Sequence, residues 1–337
     1  MKVFVTNVMG EVGAEEIQAL RNEGHEVIVG RDHPPFSEAE LIELTRDVEV
    51  IIAASQDMIT RKVMESCDRL RLVVAPFIGV DHIDVEAATE LGILVANSPS
   101  QENVIGIAEV SIGLMLALLK RVKRNEARLR GGGWRHTEDQ GDMLFGKIIG
   151  IVGLGRIGSQ VAKRLGPWGV TLLASDPYVT NEYATRFDVE LVDLPTLLQT
   201  SDIVTLHVVL TDETRNLIAE RELRMMKPSA YLINTARGGV VEETSVVRAI
   251  EEKWVAGVAL DTFEPEPLPA ESPLRHLDAE RVILTPHNVG LSEATRRGNW
   301  ALAVRSVREA FTGKVASPTK NPEAIPVWRK RVREISA

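Results

Sequence analysis

Cysteine is nearly missing from this chain of 337 residues: Cys67 stands alone. One thiol excludes an intrachain disulfide and suits a reducing compartment. In its helical context Cys67 reads as a small buried residue rather than a nucleophile. Positive charge is short as well. The net charge is −9 and no long basic stripe appears, which argues against a nucleic-acid surface. The N-terminus reads directly as a strand and lacks the apolar region of a signal peptide. The most apolar window, 104–119, carries Glu109 and Ser111 and reads as too short to span a bilayer. No metal site and no membrane partner are expected, and the expected home is the cytoplasm. Apolar residues at 44% and charged residues at 26% are ordinary for a globular protein long enough for two domains.

What is present is a pattern. Short β-branched runs alternate with helical stretches, which argues for parallel sheets covered on both faces. The fold class is α/β, with two doubly wound domains. Asn97-Ser98-Pro99-Ser100 interrupts the alternation and marks a hinge, and an apolar helix is expected from about 102 to 130. Its first half is apolar around most of its circumference and should be buried; its second half, 120–130, is basic and should be solvated.

The informative stretch is 147–177. The run Ile148–Val152 leads into Gly153, Gly155 and Gly158, then a helical pattern, a second strand at 170–174 and an acid, Asp176. This is the order of a dinucleotide site. Gly153 permits the turn, Gly155 lets a pyrophosphate approach the backbone, and Gly158 lets helix and strand close up. The helix start at Arg156 and Ile157 presents N–H groups and a positive dipole end to phosphate. Asp176 would accept both ribose hydroxyls and repel a 2′-phosphate, favouring NAD over NADP. The first strand unit imitates this site with Gly10, Gly13 and Asp32. It lacks the first glycine after the strand, and Asn7, Met9 and Glu11 crowd the turn, so it reads as an ordinary α/β loop.

Each later strand ends on a polar residue. His207 follows 202–206; Thr235, Ala236 and Arg237 close 230–235; Asp261 follows 255–260, with Glu264 and Glu266 beyond; His287 follows 282–285. In a doubly wound sheet those ends line one edge. Arg237 suits the carboxylate of a 2-keto acid. His287 suits proton delivery to the carbonyl oxygen, and Glu266 would fix its tautomer and raise its pKa. Asp261 would hold the nicotinamide carboxamide, and Thr235 and Ala236 would also contact the cofactor. The His207 ring reads as structural or adenine-side rather than catalytic. The loop Ile78-Gly79-Val80 reads equally as an anion-binding turn or as a plain connection capped by Asp84.

Together these residues resemble the D-isomer-specific 2-hydroxyacid dehydrogenase family over nearly the whole chain. The matching segments are Gly150-Ile151-Val152-Gly153-Leu154-Gly155-Arg156-Ile157-Gly158, Leu232-Ile233-Asn234-Thr235-Ala236-Arg237-Gly238-Gly239, Ala259-Leu260-Asp261-Thr262-Phe263-Glu264-Pro265-Glu266-Pro267-Leu268 and Thr285-Pro286-His287. The resemblance implies a discontinuous, flavodoxin-like substrate domain (1–99 with 291–337) and a central Rossmann NAD-binding domain (100–290). It implies a homodimer through the central domain, and substrate carboxylate binding by backbone amides at Ile78, Gly79 and Val80. Arg237 becomes the substrate arginine, His287 the acid/base and Glu266 its partner. The chain differs from the family at Val209, where proline is usual, at Asn288, where a branched apolar residue is usual, and at Val110, where histidine is usual. None of these removes a catalytic residue. The expected activity is NAD-dependent reduction of a small 2-keto acid to the D-2-hydroxy acid, with glyoxylate, hydroxypyruvate or a sugar-derived acid as substrate. The alternative is a dinucleotide-sensing, corepressor-like regulator on the same fold; short termini favour the enzyme. A formate dehydrogenase relative is disfavoured, because such enzymes lack the Glu266-like partner and place a glutamine upstream.

Overall fold

The computed structural model describes residues 1–336. The chain divides into two compact units, Met1–Asn103 with Ser292–Ala337, and Val104–Leu291.

The first unit holds β1 (Lys2–Val5), β2 (Glu26–Val29), β3 (Val50–Ile52), β4 (Leu72–Ala75) and β5 (Leu94–Asn97). All pair in parallel, in the order β2-β1-β3-β4-β5, the flavodoxin-like order. Alternate side chains feed two cores, as the pleat requires. Val3, Val5, Val50 and Ile52 pack with Ile17, Leu20, Trp300, Val304 and Trp328. Phe4, Ile51 and Val73 face the other way, onto Leu41, Val63 and Ala87. Trp300 is 1% exposed, so truncating it to alanine would cost about 3–5 kcal/mol. Trp328 Nε1 donates to the Arg71 carbonyl at 2.9 Å and ties the helix Ile325–Ser336 to this sheet. Cys67 is buried with its thiol donating to the Thr45 carbonyl at 2.6 Å. Burial pushes that thiol up to about 12, so it is no nucleophile.

The second unit holds β6 (Ile148–Val152), β7 (Thr171–Ser175), β8 (Val189–Leu191), β9 (Ile203–Leu206), β10 (Tyr231–Asn234), β11 (Gly257–Leu260) and β12 (Val282–Leu284). Its order, β12-β11-β10-β9-β6-β7-β8, is the Rossmann order with one strand added. Register sets the chemistry level. Val152 pairs with Ser175 and with Leu206; Asn234 pairs with Leu206 and with Leu260; Leu260 pairs with Leu284. The residue after each strand therefore emerges on the same edge.

The long helix expected at 102–130 is two helices, Gln101–Leu119 and Val122–Arg130. Arg121 breaks it with a left-handed backbone (φ 50). The second helix is not simply solvated. Arg124 and Arg128 clasp Asp139, whose side chain is 1% exposed, and Lys123 donates to the Val282 carbonyl at 3.0 Å. The two arginines hold the Asp139 carboxyl below its ordinary value. The first helix, at 19 residues, is long and apolar enough by length and composition to cross a membrane, contrary to the sequence expectation. Half of its apolar window is buried in the protein, with Ala108, Ile112, Met115 and Leu118 packed on Ile149, Ile151 and Val161. That is the position of a core helix.

Candidate active site

The edge of the second sheet starts at β6. Gly153 leaves the strand with φ 90, and a Cβ there would lie 2.7 Å from the His207 carbonyl. Only glycine takes both the conformation and the space. Gly155 caps the helix Arg156–Leu165, and a Cβ on it would meet nothing within 4 Å. The backbone there is open to a ligand. A Cβ on Gly158 would lie 2.1 Å from the Gly153 carbonyl, so this glycine brings helix and strand together. This cradle fits a dinucleotide pyrophosphate: open at Gly155, closed at the other two glycines, and opening a helix.

Asp176 is tied to the same turn. Its Oδ2 accepts the Leu154 N–H at 2.8 Å and its Oδ1 the Tyr178 N–H at 2.9 Å. A carboxylate has lone pairs left for ribose hydroxyls after two such bonds. His207 donates its backbone N–H to Val152, and its ring Nε2 lies 2.9 Å from Thr205 Oγ1. Burial pushes its imidazole down to about 3, so the ring is neutral at physiological pH.

Arg237 is half-buried one residue past Ala236, and its Nη1 donates to the Ala236 carbonyl at 2.7 Å. The turn is held by a residue that sequence reasoning treated as plain strand. Asn234 Oδ1 accepts the Ala236 N–H at 3.0 Å, and its Nδ2 donates to the Arg237 carbonyl at 2.8 Å. Thr235 is buried with its hydroxyl 2.9 Å from that of Ser111.

Glu266 and His287 meet. His287 Nδ1 lies 2.8 Å from Glu266 Oε2 and 3.1 Å from Oε1, and Oε1 also accepts the Phe263 N–H at 3.0 Å. Burial pushes the Glu266 carboxyl up. The bond and charge of His287, the Phe263 N–H and the Arg237 charge outweigh it and hold the carboxyl below its ordinary value. Glu266 is thus an ionised acceptor, and Nδ1 carries the proton between them.

His287 has φ 50, a left-handed conformation that costs a non-glycine residue about 1–3 kcal/mol. Its N–H bonds the Thr285 carbonyl at 3.0 Å. Asp261, 5% exposed, keeps the turn in place. It accepts the Thr285 hydroxyl at 2.7 Å and the backbone N–H groups of Asn288 and Val289. Burial pushes its carboxyl up against those bonds. The sequence reading gave Asp261 to the nicotinamide and missed this grip on the histidine turn. The Asp–Thr pair is 24 residues apart, so only the register of β11 on β12 reveals it.

In the first unit the stretch 76–84 leaves β4. Asn97 Nδ2 donates to the Ile78 carbonyl at 2.5 Å, Ser98 N–H to Phe77, and Ile83 N–H to Val80. Asp84 caps the following helix through the Ala87 N–H.

Comparison with known proteins agrees with this architecture. Residues 112–289 match the family described as D-isomer specific 2-hydroxyacid dehydrogenase, NAD binding domain. The chain belongs to the D-isomer specific 2-hydroxyacid dehydrogenase family. It is 39% identical to the glyoxylate reductase of Thermofilum pendens, over 97% of this chain and 96% of that one. It is 37% identical to the D-3-phosphoglycerate dehydrogenase of Methanocaldococcus jannaschii, over 97% of this chain but only 60% of that one. Among solved structures, the NAD-dependent formate dehydrogenase of Staphylococcus aureus in complex with NAD superposes with a TM-score of 0.80 at 30% identity. That match covers 93% of this dehydrogenase and 96% of the other chain. The glycine cradle and Asp176 thus lie in the NAD-binding domain of this dehydrogenase.

Proposed function

We propose that this dehydrogenase reduces a small 2-keto acid to its D-2-hydroxy acid, and catalyses the reverse oxidation, with NAD as hydride carrier. The observation that carries the reading is the His287–Glu266 pair on the sheet edge that also bears Arg237 and the glycine cradle. Gly153, Gly155, Arg156, Ile157, Gly158 and Asp176 hold the pyrophosphate and ribose, with His207, Thr235, Ala236 and Asp261 as further contacts. Bound NADH supplies the hydride for the carbonyl carbon.

The side chains do the rest. Arg237 presents a planar, permanently charged fork to the substrate carboxylate. Backbone amides of Ile78, Gly79 and Val80 are a proposed second grip on it. His287 keeps Nδ1–H on Glu266, which leaves Nε2 to deliver its proton to the carbonyl oxygen in reduction and to take it back in oxidation. Asp176 selects NAD by repelling a 2′-phosphate.

The substrate reading is a glyoxylate- or hydroxypyruvate-like acid, or a sugar-derived one. The Thermofilum relative, matched over 96% of its length, is named a glyoxylate reductase. The relatives' enzyme names do not favour a dinucleotide-sensing regulator. The test is NADH consumption across a panel of 2-keto acids, with glyoxylate and hydroxypyruvate expected to lead. NADH binding without turnover of any member would refute the reading.

A homodimer through the central domain belongs to the same proposal. Exposed Trp134, Met143 and Phe145 in that unit support it, and light scattering at the mass of one chain would contradict it. A cytoplasmic setting is supported by the single, buried Cys67.

A further inference from the structure

One cation of the second unit touches both segments that carry the chemistry, and the mechanism above does not use it. Arg215 lies on the loop after β9. Its Nη1 is 2.6 Å from Glu264 Oε2, two residues before Glu266. The pair lies against Gly239, two residues after Arg237. A Cβ on Gly239 would be 2.6 Å from Glu264 Oε2 and 3.1 Å from Arg215 Nη1.

Both carriers are anchored. Asn216 N–H bonds the Gly239 carbonyl at 2.8 Å, Ile218 N–H that of Val240 at 3.1 Å, and Glu242 N–H that of Ile218 at 3.0 Å. The Arg215 loop is thus stitched to the arginine segment. Glu264 is gripped at two points. Its carboxylate meets Arg215, and its N–H donates to Glu243 Oε1 at 2.8 Å. Glu243 starts the helix Glu243–Glu251. Phe263, the residue before, donates its N–H to Glu266 itself. The glutamate loop is therefore fixed at 263–264, and Glu266 reaches His287 from that anchor.

We propose that Arg215 is a positioning residue for hydride transfer: by holding Glu264 against Gly239 it sets Glu266 on His287 Nδ1 at a fixed offset from Arg237. This rests on the function proposed above. Arg215 and Glu264 are each about half exposed, 48% and 49% by side chain, and such pairs add little to stability. Their value is in placement, since small misplacements at a reacting centre cost far more in rate than in fold. Charge acts in the same direction. Glu243 at its helix start faces Glu264 and Glu266 on the loop, and burial together with these two carboxylates pushes the Glu243 carboxyl up. Arg215 is bonded into that crowd through Glu264.

The experiment compares Arg215→Gln, Arg215→Lys, Glu264→Gln and the double variant Arg215→Gln/Glu264→Gln. Arg215→Gln should lower kcat about tenfold. NADH affinity and melting temperature should stay unchanged, and the pH profile of kcat/KM should move upward because Glu264 is left an unpaired carboxylate two residues from Glu266. Arg215→Lys should restore most of the rate, and the double variant should be no slower than Arg215→Gln, because both lose the same hold on Glu264. A second readout needs no substrate: ring-nitrogen NMR of His287, assigned by its loss in His287→Asn, should titrate at higher pH in Arg215→Gln. If the wild type reduces no keto acid yet this titration moves, the activity is wrong and the positioning role stands. Wild-type kinetics together with an unmoved His287 titration in Arg215→Gln would overturn the role. So would a rate loss matched by a fall in melting temperature.

Discussion

Two strand–glycine turn–helix–strand–acid units open the two sheets, and they differ in what the turn is for. In the first unit β1 runs to Gly10, which caps the helix Glu11–Asn22 with Gly13 in its first turn, then to β2 and Asp32. A Cβ on Gly13 would lie 1.9 Å from the Val8 carbonyl and 2.9 Å from the Trp300 ring. That glycine serves packing. Glu11 stands in the helix's first turn, and Asp32 is engaged through its carbonyl, which accepts from Asn7 and Gln56. In the second unit Gly158 serves packing in the same way, and Gly155, like Gly10 at the first helix, leaves open space. The first helical residue there is Arg156, and Asp176 turns its carboxylate onto the Leu154 N–H. Glycine spacing therefore reports how closely a helix approaches a strand. The charge of the first turn and the hydrogen bonds of the acid report a nucleotide; the open capping glycine is common to both units.

The widest gap between the units lies at the later strand ends. His287→Ala should cut turnover by about 10²–10⁴-fold, the usual weight of a general acid, with NADH binding intact by fluorescence titration. Asp32→Ala in the first unit should leave kcat untouched. Comparable losses from both would erase the contrast.

Swapping alanine into the two turns separates packing from binding. Gly13→Ala should destabilise the protein by about 1–3 kcal/mol, since the new methyl overlaps Val8 and Trp300. NADH affinity per folded molecule should hold. Gly155→Ala should do the opposite: melting within a degree or so of wild type, and NADH affinity down about tenfold, or about 1.4 kcal/mol. Urea melts and NADH titrations of the same samples decide it, and an equally destabilised Gly155→Ala would refute the open cradle.

A gentler probe is the pair of acids. Asp176→Ser should weaken NADH several-fold and narrow the preference over NADPH, whereas Asp32→Ser should change neither. Unchanged kcat/KM ratios for the two cofactors in Asp176→Ser would remove that residue from cofactor choice.

Much of this was readable in the residues, for local reasons. The central strands are short apolar runs buried on both faces, and the strand ends of the second unit are punctuated by Gly153, Asp176, His207, Arg237, Asp261 and His287. A parallel sheet then delivers those residues to one edge without further information. What stayed hidden depends on partners distant in sequence. No glycine or proline marks the break at Arg121; the arrangement is made by Asp139 and the Val282 carbonyl, which draw in Arg124, Arg128 and Lys123. The grip of Asp261 on the histidine turn depends on two neighbouring strands in register. Arg215 and Glu264 are 49 residues apart, and nothing local pairs them.

The smallest difference between the two turns concerns acid stability. Beside β1 the residue after β3 is Ala53; beside β6 the residue after β9 is His207, with its carbonyl under Gly153. The folded imidazole titrates at about 3 because burial disfavours its charge, while an unfolded histidine titrates near 6.5. Above pH 6.5 neither state binds the proton, so the contribution to stability is fully present. Below it the unfolded chain takes a proton that the folded chain refuses, so stability falls as pH drops toward 3. His25 in the first unit is shifted the same way by burial, so the fall is shared. His207→Gln should therefore reduce, not abolish, the loss of urea resistance between pH 7 and pH 5, by on the order of 1 kcal/mol. If the variant lost as much as the wild type, the ring would be charged in the folded protein, and the neutral imidazole beside Thr205 would have to be abandoned.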